Sequence, residues 1–150
     1  MMNNRYIFKG KRKDNGEWVE GYLIQGNKTY IATIEAINYM VVSTSFMASI
    51  ELVEVIPKTV GQCTDLKDKN GKPIFEGDVV KLTDINNGVE WRAYVVFGNP
   101  YGAYNWGWNL MYIGEEPRIN TDILLWIEME ETGAHCEVIG NIYDNPERRN

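Results

Sequence analysis

The sequence is poor in the residues that metal sites and hydrolytic centres usually need. It contains one histidine, His135, and two cysteines, Cys63 and Cys136. A closed zinc site takes four ligands, and a Ser-His or Cys-His pair has only His135 to use. Two cysteines in a chain of 150 residues also make no disulfide framework. We therefore predict free thiols, no metal, no cofactor and no enzymatic activity.

Long apolar runs are missing as well. No segment approaches the roughly 20 residues that a membrane helix needs. The N-terminal residues lack the apolar core of a secretory signal peptide. The phosphate-binding patterns GxxxxGK[ST] and GxGxxG do not occur. We expect a cytoplasmic protein that neither enters a membrane nor binds nucleotides through these loops.

Positive charge is scarce, because 15 lysines and arginines face 21 aspartates and glutamates. The net charge is -6, whereas nucleic-acid-binding proteins usually carry a basic patch or a high pI. Nucleic-acid binding is therefore not the favoured function. It is the alternative function, because a basic cluster lies near the N-terminus; its members are Lys9, Lys11, Arg12 and Lys13.

Three Asn-Gly pairs punctuate the chain, and Asn and Gly tolerate the positive φ of tight hairpin turns. Asn15-Gly16 and Asn87-Gly88 lie between segments rich in aromatic and β-branched residues, which predicts two β-hairpins. Asn70-Gly71 lies in a polar run, 64–72, that we interpret as a connecting turn.

The rest of the pattern is that of a mostly β protein with at most one or two short helices. Short segments separated by turn residues favour small barrels or sandwiches over βαβ units. Besides the hairpin strands at 5–9, 18–24, 78–82 and 90–97, strands are predicted at 28–36, 39–45, 48–56, 109–113 and 137–143.

The segment 121–131 is ambiguous. A capping residue, Asn120 or Thr121, and the following Gly133 favour a helix, whereas alternating apolar residues favour a strand. We predict a helix and keep the strand as the alternative.

A domain boundary is predicted near Pro57, because proline cannot donate a ladder hydrogen bond and restricts the preceding residue. The segment that follows is more polar and richer in turn-forming residues. We predict a β-rich N-terminal region at 1–57 and a C-terminal region at 58–150.

The densest aromatic stretch runs from Tyr101 to Trp108. Such rings can fill a core, form a protein interface or stack nucleic-acid bases. Core packing ranks first, self-association second and nucleic acid third, because no lysine or arginine lies between Phe97 and Pro117. The candidate interface residues are Tyr101, Tyr104, Trp106 and Trp108.

Several long motifs resemble those of the YopX family, which comprises proteins of bacteriophages and prophages. They are Val55-Ile-Pro-Lys-Thr-Val-Gly-Gln62, Asp65-Leu-Lys-Asp-Lys-Asn-Gly-Lys-Pro-Ile-Phe-Glu-Gly-Asp-Val-Val80 and Glu137-Val-Ile-Gly-Asn-Ile-Tyr-Asp-Asn-Pro-Glu147. The opening Arg5-Tyr-Ile-Phe-Lys-Gly-Lys-Arg12 and Trp18-Val-Glu-Gly-Tyr22 also fit.

The resemblance implies a C-terminal SH3-like β-barrel, a smaller β-rich N-terminal part and self-association, and it implies no activity. Local chemistry suggests structural roles for the motif residues. Gly77-Asp78 has the character of a turn entering a strand, with the Asp side chain able to bond nearby N–H groups. Gly140 has the character of a strand bulge. The motif positions are Gly61, Asn70, Gly71, Glu76, Gly77, Asp78, Gly140, Asn141, Asn145 and Pro146.

Together these observations predict a non-enzymatic phage or prophage accessory protein that acts through protein contacts in the bacterial cytoplasm. A homo-oligomer is expected, and a host or phage protein is a further possible partner. The alternative is a nucleic-acid-binding module that uses the barrel and the basic N-terminal cluster.

Overall fold

The computed structural model describes residues 4–34, 50–100, 102, 106–114, 121–128 and 133–144. The chain divides into two compact units. The N-terminal unit is Arg5–Gln62, and the C-terminal unit is Cys63–Asn150 together with Met1–Asn4. The boundary inferred from Pro57 stays a prediction.

The N-terminal unit is built on an antiparallel sheet in the order β4-β3-β2-β1. Its strands are β1 (Phe8–Lys11), β2 (Trp18–Gln25), β3 (Thr29–Ile34) and β4 (Ile50–Glu54). Short 3-10 helices lie at Asn4–Tyr6 and Pro57–Thr59. The next strand, β5 (Gly61–Lys67), begins in this unit, where Gly61 and Gln62 pair with Lys9 and Phe8.

One face of this sheet forms a small core around Ile31, Val53 and Val55. The sheet curls, because a bridge between Arg12 and Val55 ties the end of β1 to the residue after β4. Gly10 permits this approach, since a Cβ at position 10 would lie 3.2 Å from the Val55 side chain.

The C-terminal unit contains a four-stranded antiparallel sheet in the order β10-β7-β8-β9. Its elements are β6 (Pro73–Phe75), β7 (Asp78–Asp84), β8 (Val89–Gly98), β9 (Gly107–Ile113), α1 (Ile123–Glu128) and β10 (Ala134–Asn141). The remainder of β5 pairs with β6. The mostly β class is confirmed. No pairing closes β9 onto β10 among the described residues, so the SH3-like barrel stays a prediction.

The core of this unit comes from alternate positions of the sheet and from α1. Trp126 of α1 is 6% exposed, and its ring centroid lies 5.6 Å from that of Trp91. Its indole N–H donates to the hydroxyl of Tyr112 at 3.2 Å. Further buried members are Ile74, Val80, Leu82, Ala93, Val95, Leu110, Ile123, Ala134 and Cys136.

The helix prediction is confirmed for Ile123–Glu128, but the predicted capping residue is wrong. Asp122 precedes the helix, and its Oδ1 accepts the N–H of Leu124 at 2.9 Å. That is the hydrogen bond by which an N-cap side chain satisfies a free helical donor. The hydroxyl of Thr121 donates instead to Asn109 Oδ1 at 3.1 Å.

The Asn15-Gly16 and Asn87-Gly88 hairpins are confirmed by the pairing of β1 with β2 and of β7 with β8. A two-residue type I′ turn needs positive φ at both central residues. In each of these two Asn-Gly pairs only the glycine has positive φ, so the hairpins have longer loops.

The polar run 64–72 is a connecting turn only in its second half, because residues 68–72 form the loop and residues 64–67 belong to a strand. Gly61–Lys67 is strand β5, and it forms a hairpin with β6 around Asn70-Gly71. Buried Thr64 fits within a strand because its hydroxyl donates to the carbonyl oxygen of Ile74 at 2.8 Å. The predicted strand at 39–45 lies outside the described residues.

Candidate functional site

Among the described residues of the C-terminal unit, the two most exposed large apolar side chains lie together where β8 ends and β9 begins. Phe97 pairs with Trp108 across the two strands, and Gly98 pairs with Gly107. Phe97 is 61% exposed and Trp106 is 78% exposed. We call Phe97, Trp106 and Trp108 the aromatic corner.

The three rings of the aromatic corner differ in their surroundings. The ring centroids of Phe97 and Trp108 lie 5.0 Å apart in an edge-to-face arrangement, which is a favoured geometry for aromatic pairs. Trp108 also packs against the core. The ring of Trp106 passes 3.8 Å from the position that a Cβ on Gly98 would occupy. Trp108 therefore anchors the corner, and Trp106 is its outermost ring.

Asn109 fixes the strand ends that carry these rings. It is 2% exposed, and its Nδ2 donates to the carbonyl oxygens of Gly98 at 2.6 Å and Gly107 at 3.3 Å. Its Oδ1 accepts the Thr121 hydroxyl at 3.1 Å. Asn109 was not among the site residues predicted from the sequence, although a polar amide among apolar strand residues is a signal that could have identified it.

Both outer strands of the C-terminal sheet already have backbone partners. On β10, the carbonyl oxygen of Cys136 accepts the N–H of Lys69 at 2.9 Å, and the N–H of Val138 donates to Asp68 Oδ2 at 3.0 Å. On β9, the N–H of Leu110 donates to the carbonyl oxygen of Thr121 at 2.8 Å. These contacts limit the addition of a foreign strand at the positions where they occur.

The motif residues Asp78 and Asn141 meet in the interior of the C-terminal unit. Asp78 is 1% exposed and Asn141 is 3% exposed. Asp78 Oδ2 accepts the N–H of Phe75 at 2.9 Å, and Asp78 Oδ1 accepts Nδ2 of Asn141 at 3.1 Å. The N–H of Ile142 also donates to the carbonyl oxygen of Gly77 at 3.0 Å. These contacts link the turn before β7 to the end of β10.

The other motif positions lie in strands and turns. The register of β10 against β7 shifts between Val138 and Gly140, which is the bulge that the glycine suggested. Gly61 starts β5, Asn70 and Gly71 lie in the β5–β6 loop, and Glu76 lies in the turn before β7. Asn145 and Pro146 lie outside the described residues, as do Tyr101 and Tyr104 of the candidate interface.

Asp68, which was not among the residues predicted from the sequence, organises the loop between β5 and β6. It is 5% exposed. Its Oδ1 accepts the N–H groups of Asn70 at 2.8 Å and Lys72 at 2.9 Å, and its Oδ2 accepts that of Val138. A buried carboxylate with such donors is well satisfied, so Asp68 holds the loop against β10.

The side chains of the basic N-terminal cluster contact aromatic and acidic residues of the same unit. Nζ of Lys9 lies 4.9 Å from the ring centroid of Trp18, and Nζ of Lys11 lies 5.5 Å from it. Arg12 pairs with Asp14 at 2.8 Å, and Lys13 pairs with Glu54 at 2.7 Å.

These ion pairs shift the pKa values of their members. The hydrogen bond to Asp14 raises the pKa of Arg12. Hydrogen bonds from Lys13 and Lys28 lower the pKa of Glu54 below its ordinary value. Since the carboxylates stay ionised at neutral pH, they offset the positive charge of Arg12 and Lys13.

The thiols and carboxylates of the described ranges form no further centre. Cys63 and Cys136 are buried and are not joined in a disulfide. Within those ranges no three His, Cys, Asp or Glu side chains are placed to hold a metal ion. The helices found there are also too short to span a membrane.

The fold and these sites define a small, mostly β protein whose sequence motifs serve to join its turns and strands. The YopX protein family model matches residues 7–148. The chain therefore belongs to the YopX family, as the motifs had indicated. A search of curated proteins returned no match.

Proposed function

We propose that this YopX-family protein is a non-enzymatic phage or prophage accessory protein that self-associates through the aromatic corner in the bacterial cytoplasm. The observation that carries the proposal is the exposure of Trp106, 78%, beside that of Phe97, 61%. Tryptophan is enriched among the residues that dominate protein interfaces, and exposed apolar patches commonly mark interaction sites.

The charge around the aromatic corner favours a protein surface over nucleic acid as its partner. No lysine or arginine occurs from Gly98 to Glu116. Base-stacking platforms work together with a positive groove that follows the phosphates. A second copy of the chain brings no such requirement, because apolar rings can pack against the same rings across a twofold axis.

The size of the corner bounds the strength of the association. The exposed parts of Phe97 and Trp106 supply about 300 Å² of surface per copy, or about 600 Å² in a dimer. A specific interface buries roughly 1,000 Å² or more in total. Neighbouring residues must therefore contribute, and Tyr101 and Tyr104 are the candidates predicted from the sequence. We expect micromolar and not nanomolar self-association.

Replacing Trp106 with serine is expected to weaken self-association by about 30-fold or more, because a central interface ring contributes about 2 kcal/mol. Light scattering and sedimentation across a wide concentration range would measure the change. Wild-type protein should pass from monomer to oligomer over this range, and Trp106→Ser should remain largely monomeric.

Two matched variants make the Trp106 experiment specific. Ile85 is 50% exposed and lies in the hairpin at the opposite end of β8, so Ile85→Ser should leave association unchanged. Leu52 of β4 is 53% exposed on the N-terminal sheet. If Leu52→Ser abolishes association and Trp106→Ser does not, the aromatic corner is the wrong surface. A wild-type monomer at all concentrations would refute self-association itself.

The alternative function, nucleic-acid binding, depends on Lys9 and Lys11 beside Trp18. We expect weak binding to generic DNA, because Arg12 and Lys13 are paired with carboxylates. If binding acts through these two lysines, about two phosphate contacts form, and the plot of log affinity against log salt concentration should have a slope of about -2.

Fluorescence anisotropy with labelled single-stranded and double-stranded DNA would measure this slope. The double variant Lys9→Gln/Lys11→Gln should remove the remaining binding, whereas Lys58→Gln, an exposed lysine outside the cluster, should not. Submicromolar affinity that persists at high salt would favour the alternative over self-association.

A further inference from the structure

The three Asn-Gly pairs are open to the same chemical reaction at the asparagine side chain. The backbone nitrogen of a residue after asparagine can attack the side-chain carbonyl carbon, and glycine offers the least steric hindrance because it has no Cβ. The same dipeptide occurs at 15–16, 70–71 and 87–88. Differences in reactivity among the three sites must therefore come mainly from their folded surroundings.

The backbone restrains the three sites in similar ways. The N–H of Gly16 donates to the carbonyl oxygen of Arg12 at 3.0 Å, that of Gly71 to Asp68 at 2.8 Å, and that of Gly88 to Asp84 at 2.8 Å. All three glycines have positive φ, between 72° and 77°. The attacking nitrogen is thus held by one hydrogen bond at each site.

The side-chain amides are held very differently. At Asn15, Oδ1 accepts the N–H of Glu17 at 2.9 Å and Nδ2 donates to Glu17 Oε2 at 2.9 Å. At Asn87, Oδ1 accepts the N–H of Val89 at 2.9 Å and Nδ2 donates to Asp84 Oδ2 at 2.8 Å. Both amides are therefore fixed at both ends.

Asn70 lacks this restraint. Its side chain is exposed and forms no hydrogen bond with any other described residue. The nearby carboxylate of Asp68 accepts the backbone N–H of Asn70 and makes no bond with its amide. From this difference we infer that Asn70 is the site at which the folded chain undergoes spontaneous deamidation through a succinimide.

The reaction needs only water. The Gly71 nitrogen loses its proton to solvent and forms a bond to Cγ of Asn70, and the bond from Cγ to Nδ2 breaks as ammonia leaves. Water then opens the succinimide at either carbonyl carbon, which yields aspartate or isoaspartate at position 70. The net change is the gain of one water and the loss of one ammonia, with no oxidation or reduction.

Isoaspartate at position 70 would disturb the contacts of Asp68. It routes the main chain through the former side chain and so adds a methylene between residues 70 and 71. The loop has three residues between Asp68 and Lys72, whose backbone groups are hydrogen-bonded at 2.9 Å. A longer loop displaces the N–H of Lys72 from Asp68, the same side chain that accepts the N–H of Val138.

Peptide mapping by mass spectrometry during incubation of the full chain in mildly alkaline buffer tests this inference. The mass shift of deamidation should appear first at Asn70, at a rate about tenfold above the rates at Asn15 and Asn87, because two hydrogen bonds of ordinary strength hold each of those amides. Chromatography would separate the aspartate and isoaspartate forms of the 70–71 peptide.

Incubation in denaturant provides the reference for each site. The three rates should then converge, which shows that the difference arises from folding and not from neighbouring residues. Asn70→Gln should remove the early reaction, and Glu17→Ala should accelerate the reaction at Asn15 only. Earlier reaction at Asn15 or Asn87 in the folded chain, or equal folded rates at all three sites, would overturn the inference.

Discussion

Replacing Asp78 with alanine is expected to lower the free energy of unfolding by about 3 kcal/mol. The substitution removes the carboxylate that accepts two buried donors, the N–H of Phe75 and Nδ2 of Asn141. Each unsatisfied buried donor costs about 1–3 kcal/mol. Urea unfolding followed by tryptophan fluorescence would measure the loss, since Trp91 and Trp126 lie in the same unit.

Two comparisons show whether this effect comes from the buried contact. Asn141→Ala should also destabilise, and the double variant should lose less than the sum of the single losses because the two side chains bond to each other. Asp14→Ala removes an exposed carboxylate that pairs with Arg12, and it should leave the unfolding curve almost unchanged. A loss below about 1 kcal/mol for Asp78→Ala would contradict the structural role of the motif.

The second large effect is expected in the N-terminal unit, where Gly21→Ala should destabilise the protein by about 2–3 kcal/mol. A Cβ on Gly21 would overlap the carbonyl oxygen of Ala32 and lie 2.9 Å from Cγ2 of Ile31. Neighbouring residues Tyr22 and Ala32 are paired across β2 and β3, so the strands cannot separate freely. Thermal and urea unfolding would both report the change.

Gly26 offers the matched control for this substitution. A Cβ at Gly26 would meet no atom within 4 Å, and φ at this position lies outside the left-handed region. Gly26→Ala should therefore be neutral or slightly stabilising, because alanine restricts the unfolded chain more than glycine does. Equal unfolding curves for the two alanine variants would show that β2 and β3 tolerate the added methyl group.

Strands with alternating apolar residues could be predicted from the sequence, because one buried face leaves a clear period of two. The predicted segments 18–24 and 109–113 correspond to Trp18–Gln25 and Gly107–Ile113. Strand β5 could not be recognised in this way. Its buried Thr64 is satisfied by a carbonyl oxygen from β6, and this long-range partner is not visible in a polar run.

The residue types of the candidate site could be predicted from the sequence, but the positions of their side chains in the fold could not. The sequence drew attention to Trp106 and Trp108, but ring type alone does not tell which ring reaches solvent. Trp108 packs against the core while Trp106 does not. Likewise, the basic cluster looked positive because Glu54, the partner of Lys13, lies 41 positions away in the chain.

The contacts of Asp68 and Asp78 with β10 also constrain the order of events during biosynthesis. The Asp78–Asn141 hydrogen bond spans 63 positions, and the Asp68–Val138 hydrogen bond spans 70. Closing such long loops lowers the entropy of the chain before any stabilising contact forms, and pairing of distant segments therefore slows folding. While a ribosome is still translating the segment before residue 134, β7 can pair with β8, but its other partner, β10, has not yet been made. The nascent polypeptide therefore exposes that edge to neighbouring chains until the last strand has emerged.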